Sequence, residues 1–309
     1  MADDVRDRLM HEEEASWRRL ADVVDRIPPS EMTAPGAGPD DWTAADVLYH
    51  LAAWSHESAA QLAAIRGGRS RPARDTDAWN AEILRDGRLL DPDEVRVELE
   101  RARSRTLAEW SVVADPPVAL AVEWFGESGP EHIGEHIAEL TAFADRVTDG
   151  SRPGAPARRA AVVAAEDRTW RELEALIDAL PAGSVDSEPV TPDGWTVKDT
   201  MWHITRWWDD FLDVAPRFAD AAFDPDDRTT DEVDALNRAW FEESRALPVE
   251  AVRDRWTSSR SRAVETFGGM SDPSATAESW FVECGTTHYE KHLIDLRALA
   301  QRVARRASQ

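Results

Sequence analysis

The chain has 309 residues, 42% of them hydrophobic, and carries 60 acids against 36 bases for a formal net charge of −24. That much negative charge disfavours phosphate backbones and anionic lipid surfaces as partners, so nucleic-acid binding is not expected. No run approaches the roughly 18 apolar residues of a membrane span, and the length points to two domains of about 150 residues each.

In chain order, the opening stretch MADDVRDRLMHEEE is acidic and lacks an apolar segment, so no signal peptide is expected. Apolar residues at helical spacing predict a first helix over residues 5–27, ended by Pro28. Thr43 with Asp46 three residues on is a capping-box start for a second helix, which carries His50. DTDAWNAEILRD, residues 75–86, reads as a short helical piece in the long connection that follows. Asp91-Pro92 opens a third long helix through Trp110, with proline at the first helical position. A fourth runs over about residues 131–147, and the Gly-, Pro- and Arg-rich DGSRPGAPAR, residues 149–158, reads as a linker.

The second half then repeats the first. SWRRLADVVDRIP (16–28) matches TWRELEALIDALP (169–181), and DDWTAADVLYHLAAW (40–54) matches DGWTVKDTMWHITRW (193–207). RSRTLAEW (103–110) matches RSRAVETF (260–267), and WFGESGPEHIGEHIAEL (124–140) matches WFVECGTTHYEKHLIDL (280–296). The offset stays between 153 and 157 residues, far longer than a solenoid unit, so a whole domain is duplicated. Strand alternation is nearly absent. The expected fold is all-α, two tandem four-helix bundles over 1–148 and 159–309 with 149–158 between them, packed as an intramolecular pseudo-dimer.

Six of the eight histidines fall at matching positions in the two halves. His132 and His136 are four apart on one helix face, as are His288 and His292. His50 and His203 supply a third imidazole from the second helix of each half. A single i,i+4 pair arises by chance, and a lone histidine on an apolar face is usually a core residue. The recurrence of the one-plus-two arrangement favours metal ligation in each half. Three neutral nitrogen ligands with open positions suit a catalytic site for zinc, nickel or iron, and ligand type alone does not choose among them. The HExxH pattern of zinc proteases is absent, since Ile133 and Tyr289 follow the first histidines.

Other residues recur near the triads. Glu127 and Glu283 precede the fourth helices and are candidates for ligand, general base or helix-terminal acid. Tyr289 joins them as a catalytic candidate. Trp54, Asn80, Trp202, Trp207, Trp208 and Asn237 are candidate substrate-binding residues, with packing and capping as their alternative roles. The second half has more aromatic area beside its triad and is expected to be the more substrate-competent. Cys284 stands where the first half has Ser128, which argues against a thiol nucleophile common to both. A lone cysteine closes no internal disulfide, in keeping with a cytoplasmic protein.

GWTVKDTMWHITRWW, a connecting asparagine and GTTHYEKHLIDL together resemble the DinB/YfiT-like superfamily of four-helix-bundle proteins. DAWNAEILRDGRLLDPDEVRVELERARSRTLAEW and THYEKHL look most like its ClbS/DfsB branch. The resemblance implies a metal-binding bundle, with thiol-dependent transferases and isomerases using mycothiol or bacillithiol among its relatives. The ClbS-like branch implies hydrolytic opening of an electrophilic cyclopropane in self-protection. The chain departs from the mycothiol-dependent isomerase arrangement in that its second half is another bundle. The expected function is metal-dependent processing of a reactive small molecule, by hydrolysis or by transfer of a low-molecular-weight thiol such as mycothiol. Sequestration of a toxic compound without turnover, or a structural role with vestigial sites, are the alternatives.

Overall fold

A computed structural model gives the architecture. It describes residues 2–72, 74–114, 117–191, 193–219, 223, 225, 228–270 and 273–307. The chain divides into two compact units, residues 1–165 and 166–309.

In the first unit, α1 (Ala2–Arg26), α2 (Ala44–Arg66), α4 (Pro92–Ser111) and α6 (His132–Val147) are the long helices, with α3 (Thr76–Gly87) and α5 (Ala119–Gly126) between them. α2 packs chiefly on α4, and α1 on α6. The second unit has α8 (Val197–Val214), α9 (Thr230–Arg245), α10 (Val249–Gly268), α11 (Ala275–Val282) and α12 (His288–Ala307), with α8 packed on α10. α7 (Ala155–Asp178) begins within the stretch read as linker and crosses the division between the units. No strand occurs among the described residues; two isolated bridges, Pro35 to Thr43 and Pro189 to Thr196, brace the turns before α2 and α8.

Local sequence explains the starts of these helices. Thr43 and Thr196 each accept from the backbone N–H three residues on, while Asp46 and Asp199 accept from the cap N–H, completing both capping boxes. The preceding turn passes through left-handed backbone at Asp40 and Asp41 in the first unit and at Gly194 in the second. Aspartate and glycine are the residues that enter that region at low cost. Asp91 caps α4 with Pro92 behind it, and Asp75 caps α3.

Where a plain fourth helix was expected, the structure has more. α5 and α11 run into single π-helical turns, Glu127–Glu131 and Glu283–Thr287, which deliver the chain directly to His132 and His288. A π turn inserts one extra residue into the helical ladder and frees a carbonyl, and such turns gather at functional sites. The cores are Trp17, Leu20, Leu48, Leu51, Leu140 and Phe143 in the first unit, and Trp208, Phe211, Phe267, Phe281, Leu293 and Leu296 in the second.

Candidate metal centres

The capping boxes set the register of α2 and α8, so the seventh residue of each, His50 and His203, faces inward and is buried. The π turns set the start of α6 and α12, where the paired histidines sit one helical turn apart. In each unit the three imidazoles meet, with donor atoms within 4.8 Å of one another: His50, His132 and His136, then His203, His288 and His292. The Nε2 atoms of His50 and His132 are 2.9 Å apart. Those of His203 and His288 are 2.9 Å apart, and those of His288 and His292 are 3.1 Å apart. His132, His136 and His292 are partly exposed, whereas His50, His203 and His288 are buried.

Electrostatics keeps these rings neutral. Burial, then the neighbouring imidazoles, pushes His50 down to about 3. Burial and His136 lower His132 to about 4, and burial with Lys291 lowers His292 to about 4. His203 and His288 are lowered well below the ordinary histidine range, first by burial. Neutral imidazole is the form that ligates metal.

The residues fit a divalent ion. One converging nitrogen can donate to the lone pair of a neighbour, but three cannot all be paired in this way, whereas one cation takes all three lone pairs. Ligands about 2.1 Å from a common ion lie about 3.0 Å apart when cis in an octahedron and about 3.4 Å apart in a tetrahedron; the three Nε2 separations above fall in the range that a shared ion requires. The ring of His288 is also oriented from behind. It hydrogen-bonds to the backbone of Cys284, and because that bond favours the protonated ring, the ring donates and a carbonyl of the π turn accepts. His50 and His203 have no partner for Nδ1.

The other candidates fall into two groups. Trp54 stands beside the first triad, its ring centroid 5.9 Å from His132 and 6.3 Å from His50, and its indole donates to Asn80 Oδ1 at 3.2 Å. Trp207 is its counterpart, 6.3 Å from His203 and 6.4 Å from His288. Asn237 does not copy Asn80: its buried Oδ1 has no partner. Glu127 is exposed, and Glu283 accepts from Lys291 Nζ at 2.6 Å. Neither carboxylate belongs to the histidine clusters, so the ligand reading of these glutamates is set aside.

The second group lies in the core. Trp208 and Tyr289 are both fully buried. The Trp208 indole donates to the Tyr289 hydroxyl (2.7 Å), which donates to Glu166 Oε1 (2.9 Å), itself paired with Arg260. Their rings pack on Phe211, Phe281 and Trp170. Burial raises the Tyr289 pKa well above the phenol range. Catalytic Tyr289 and substrate-binding Trp208 are therefore corrected to core residues, since every polar atom they have is already engaged. Trp202 is likewise buried and donates to Glu243 at 3.2 Å. Burial also pushes the Cys284 thiol up, which keeps it protonated and unreactive.

Sequence reasoning missed four aromatic neighbours. Trp42 lies 5.1 Å from His50 and stacks on His136 at 6.5 Å, and Trp195 lies 5.1 Å from His203. Trp79 meets Trp54 at 4.7 Å, and Trp240 meets Trp207 at 5.2 Å. The signal for the first pair was present: a tryptophan directly before the capping threonine in both halves.

Fold and triads together define a protein of two helical bundles, each with a three-histidine centre. Residues 165–295 match the model of the DinB superfamily, and residues 14–142 match that of the mycothiol maleylpyruvate isomerase N-terminal domain. Both are DinB-like families, and the chain belongs to that superfamily as a tandem of two such domains. No curated protein and no solved structure matches the chain. Among the described residues no helix is long and apolar enough to cross a membrane.

Proposed function

We infer that this protein is a metal-dependent enzyme that processes a reactive small molecule at one centre per bundle. The observation that carries the reading is the convergence of three neutral imidazoles in each half, with His136 or His292 partly exposed. A divalent ion held there, zinc, nickel or iron, supplies the Lewis acidity that makes a thiol or a water nucleophilic near neutral pH. The chain's own residues keep the imidazoles unprotonated, set Trp54 or Trp207 beside them as an apolar wall, and close the bundle side against bulk water.

A thiol is the favoured nucleophile, because the first half matches the N-terminal domain of an isomerase named for mycothiol. In that reaction a sulfur–carbon bond forms at the electrophilic carbon, a strained or activated bond to that carbon breaks, and the thiol proton ends on the leaving atom. Hydrolytic ring opening is the second reading, favoured by the likeness of THYEKHL to the ClbS/DfsB branch, with water in place of the thiol. Either reaction suits detoxification or self-resistance to a natural product.

The test uses metal-loaded full-length protein with a model epoxide and a model cyclopropane, with and without mycothiol, and product read by mass spectrometry. Product only with thiol supports transfer; product in water alone supports hydrolysis. Equal, stoichiometric protection by the wild type and by a His136→Ala/His292→Ala variant, with no product, overturns catalysis and leaves sequestration.

A further inference from the structure

The two triads are alike, but the residues bordering them are not. In the register that superposes the histidines, Ala53 corresponds to Arg206, Glu131 to Thr287 and Glu135 to Lys291. The formal charge over these three positions is −2 in the first half and +2 in the second. Glu135 and Lys291 are the residues immediately before His136 and His292, within a Debye length of about 8–10 Å from the rings. These charges lie within electrostatic reach of the rings: Glu135 and Glu139 act on His136, and Lys291 acts on His203, His288 and His292.

Unpartnered polar atoms point the same way. Arg206 stacks over Trp240 at 5.6 Å, and Trp240 lies 6.3 Å from His203. Trp280 Nε1 and Thr287 Oγ1 are buried without a hydrogen-bond partner, and buried Arg206 Nε has only the Glu243 carboxylate, at 3.7 Å, beyond hydrogen-bond distance. Trp280 meets Trp207 at 6.0 Å, and Thr287 directly precedes His288. Asn237 Oδ1 is an unpartnered acceptor, and the Thr287 hydroxyl can accept as well as donate. Buried donors left unpaired cost free energy that a ligand's oxygens or sulfur would recover. The nearby acids offset the cations only in part. Glu283 holds Lys291 at 2.6 Å, yet the lysine side chain stays one-third exposed; Asp209 lies 3.3 Å and Glu243 3.7 Å from Arg206. Two acids here are new to the second half, Asp209 in place of His56 and Glu290 in place of Gly134; Glu290 lies 4.0 Å from Arg297.

We propose that the second-half centre takes an anionic ligand, a carboxylate- or thiolate-bearing group of substrate or co-substrate, that the first-half centre rejects it, and that Lys291 and Arg206 set this specificity. The proposal rests on the triads holding metal. Like charges near the first centre repel an anion, while Arg206 and Lys291 attract it and the unpaired donors bind it.

The test uses full-length protein loaded with cobalt(II), whose visible spectrum reports both loading and ligand binding. A His50→Ala/His136→Ala variant isolates the second centre, and His203→Ala/His292→Ala isolates the first. Azide is the anionic probe and imidazole the neutral one. The second centre should bind azide at least about tenfold more tightly than the first, and Lys291→Glu should remove most of that advantage. Glu135→Lys in the first centre should raise its azide affinity by a similar factor. Imidazole affinity should change in none of these comparisons by more than about twofold. Arg206→Gln and Lys291→Gln give the milder, fold-preserving versions. Cobalt bands with equal azide affinity at both centres, or azide and imidazole weakened alike, overturn the proposal alone. Cobalt failing to load at either triad overturns the proposal and the metal reading together.

Discussion

The interiors of the two bundles, directly behind their triads, solve one packing problem in opposite ways. In the second, Trp208 and Tyr289 fill the space, and their indole, hydroxyl and Glu166 form an unbroken hydrogen-bonded chain to Arg260. In the first, Ser55 and Ile133 stand at those positions. The Glu13–Arg103 pair is kept, with Arg103 donating to both carboxylate oxygens at 2.8 Å. What the larger side chains would occupy is a cavity of about 20 Å³, bordered by Ser55, Thr106, Ser128, Arg103 and Ile133. That volume is enough for an ordered water and far too small for an aromatic ligand. Duplication thus preserved the six histidines and let the packing behind them diverge, so the ligating geometry does not depend on one way of filling the core.

The largest expected effect concerns the shared feature. Wild-type protein should retain about two divalent ions per chain after dialysis, and His292→Ala or His50→Ala about one, because a three-ligand site reduced to two loses most of its affinity. Elemental analysis checks it. A variant that still retains the wild-type ratio would show that the two triads are not the binding sites.

Next come the different interiors. Trp208→Ala removes a fully buried indole and the N–H from which the Tyr289 hydroxyl accepts, while its bond to Glu166 remains, at an expected cost of about 3–5 kcal/mol. In the first bundle the comparable position is already serine, and Ser55→Ala should change stability by less than about 1 kcal/mol. Urea midpoints of the full-length chain measure both. Similar losses at the two positions would remove the distinction between a filled and an open interior.

The pH dependence follows from the triads. His50 is held near 3 against an ordinary 6.5, so between these values the unfolded chain binds the proton and the folded one does not. The neutral ring therefore carries no penalty above about pH 6.5, and stability falls as pH drops toward 4, by about 3 kcal/mol for His50 alone. Denaturation in chelator across that range should show the loss, reduced in His50→Ala. Unchanged stability from pH 7 to 4 would contradict neutral burial of the rings.

Much of this was legible beforehand, for identifiable reasons. Capping boxes are local chemistry, so Thr43–Asp46 and Thr196–Asp199 could be read directly, and they carry His50 and His203 with them. The i,i+4 histidines follow from helical period alone. The π turns were not legible, because one inserted residue shifts the face of a helix without changing its composition. Nor was the contrast between Trp207 and Trp208. The two are adjacent, so their side chains leave the helix about 100° apart, and most of the first half of α8 is buried, so hydrophobicity cannot say which faces the metal centre and which the core.

The smallest effect is also the sharpest comparison, since one substitution should have opposite signs in the two π turns. Gly129 and Gly285 are register-matched. A methyl group at Gly285 would lie 2.9 Å from two ring carbons of Trp208 and 3.2 Å from Glu166 Cγ. The indole is packed on Phe281 and hydrogen-bonded to Tyr289, so it has nowhere to yield. Gly285→Ala should cost about 1–3 kcal/mol by overpacking. At Gly129 the nearest atom to the added methyl is Glu13 Cγ at 4.0 Å, an ordinary contact. Both backbones are helical, where alanine is favoured over glycine by about 0.5–1 kcal/mol, so Gly129→Ala should be neutral to stabilising. Trp208→Ala combined with Gly285→Ala should recover most of the glycine penalty, because the clash and its cause disappear together. Equal destabilisation at both glycines would mean that the π turn itself, and not the tryptophan behind it, requires the missing side chain.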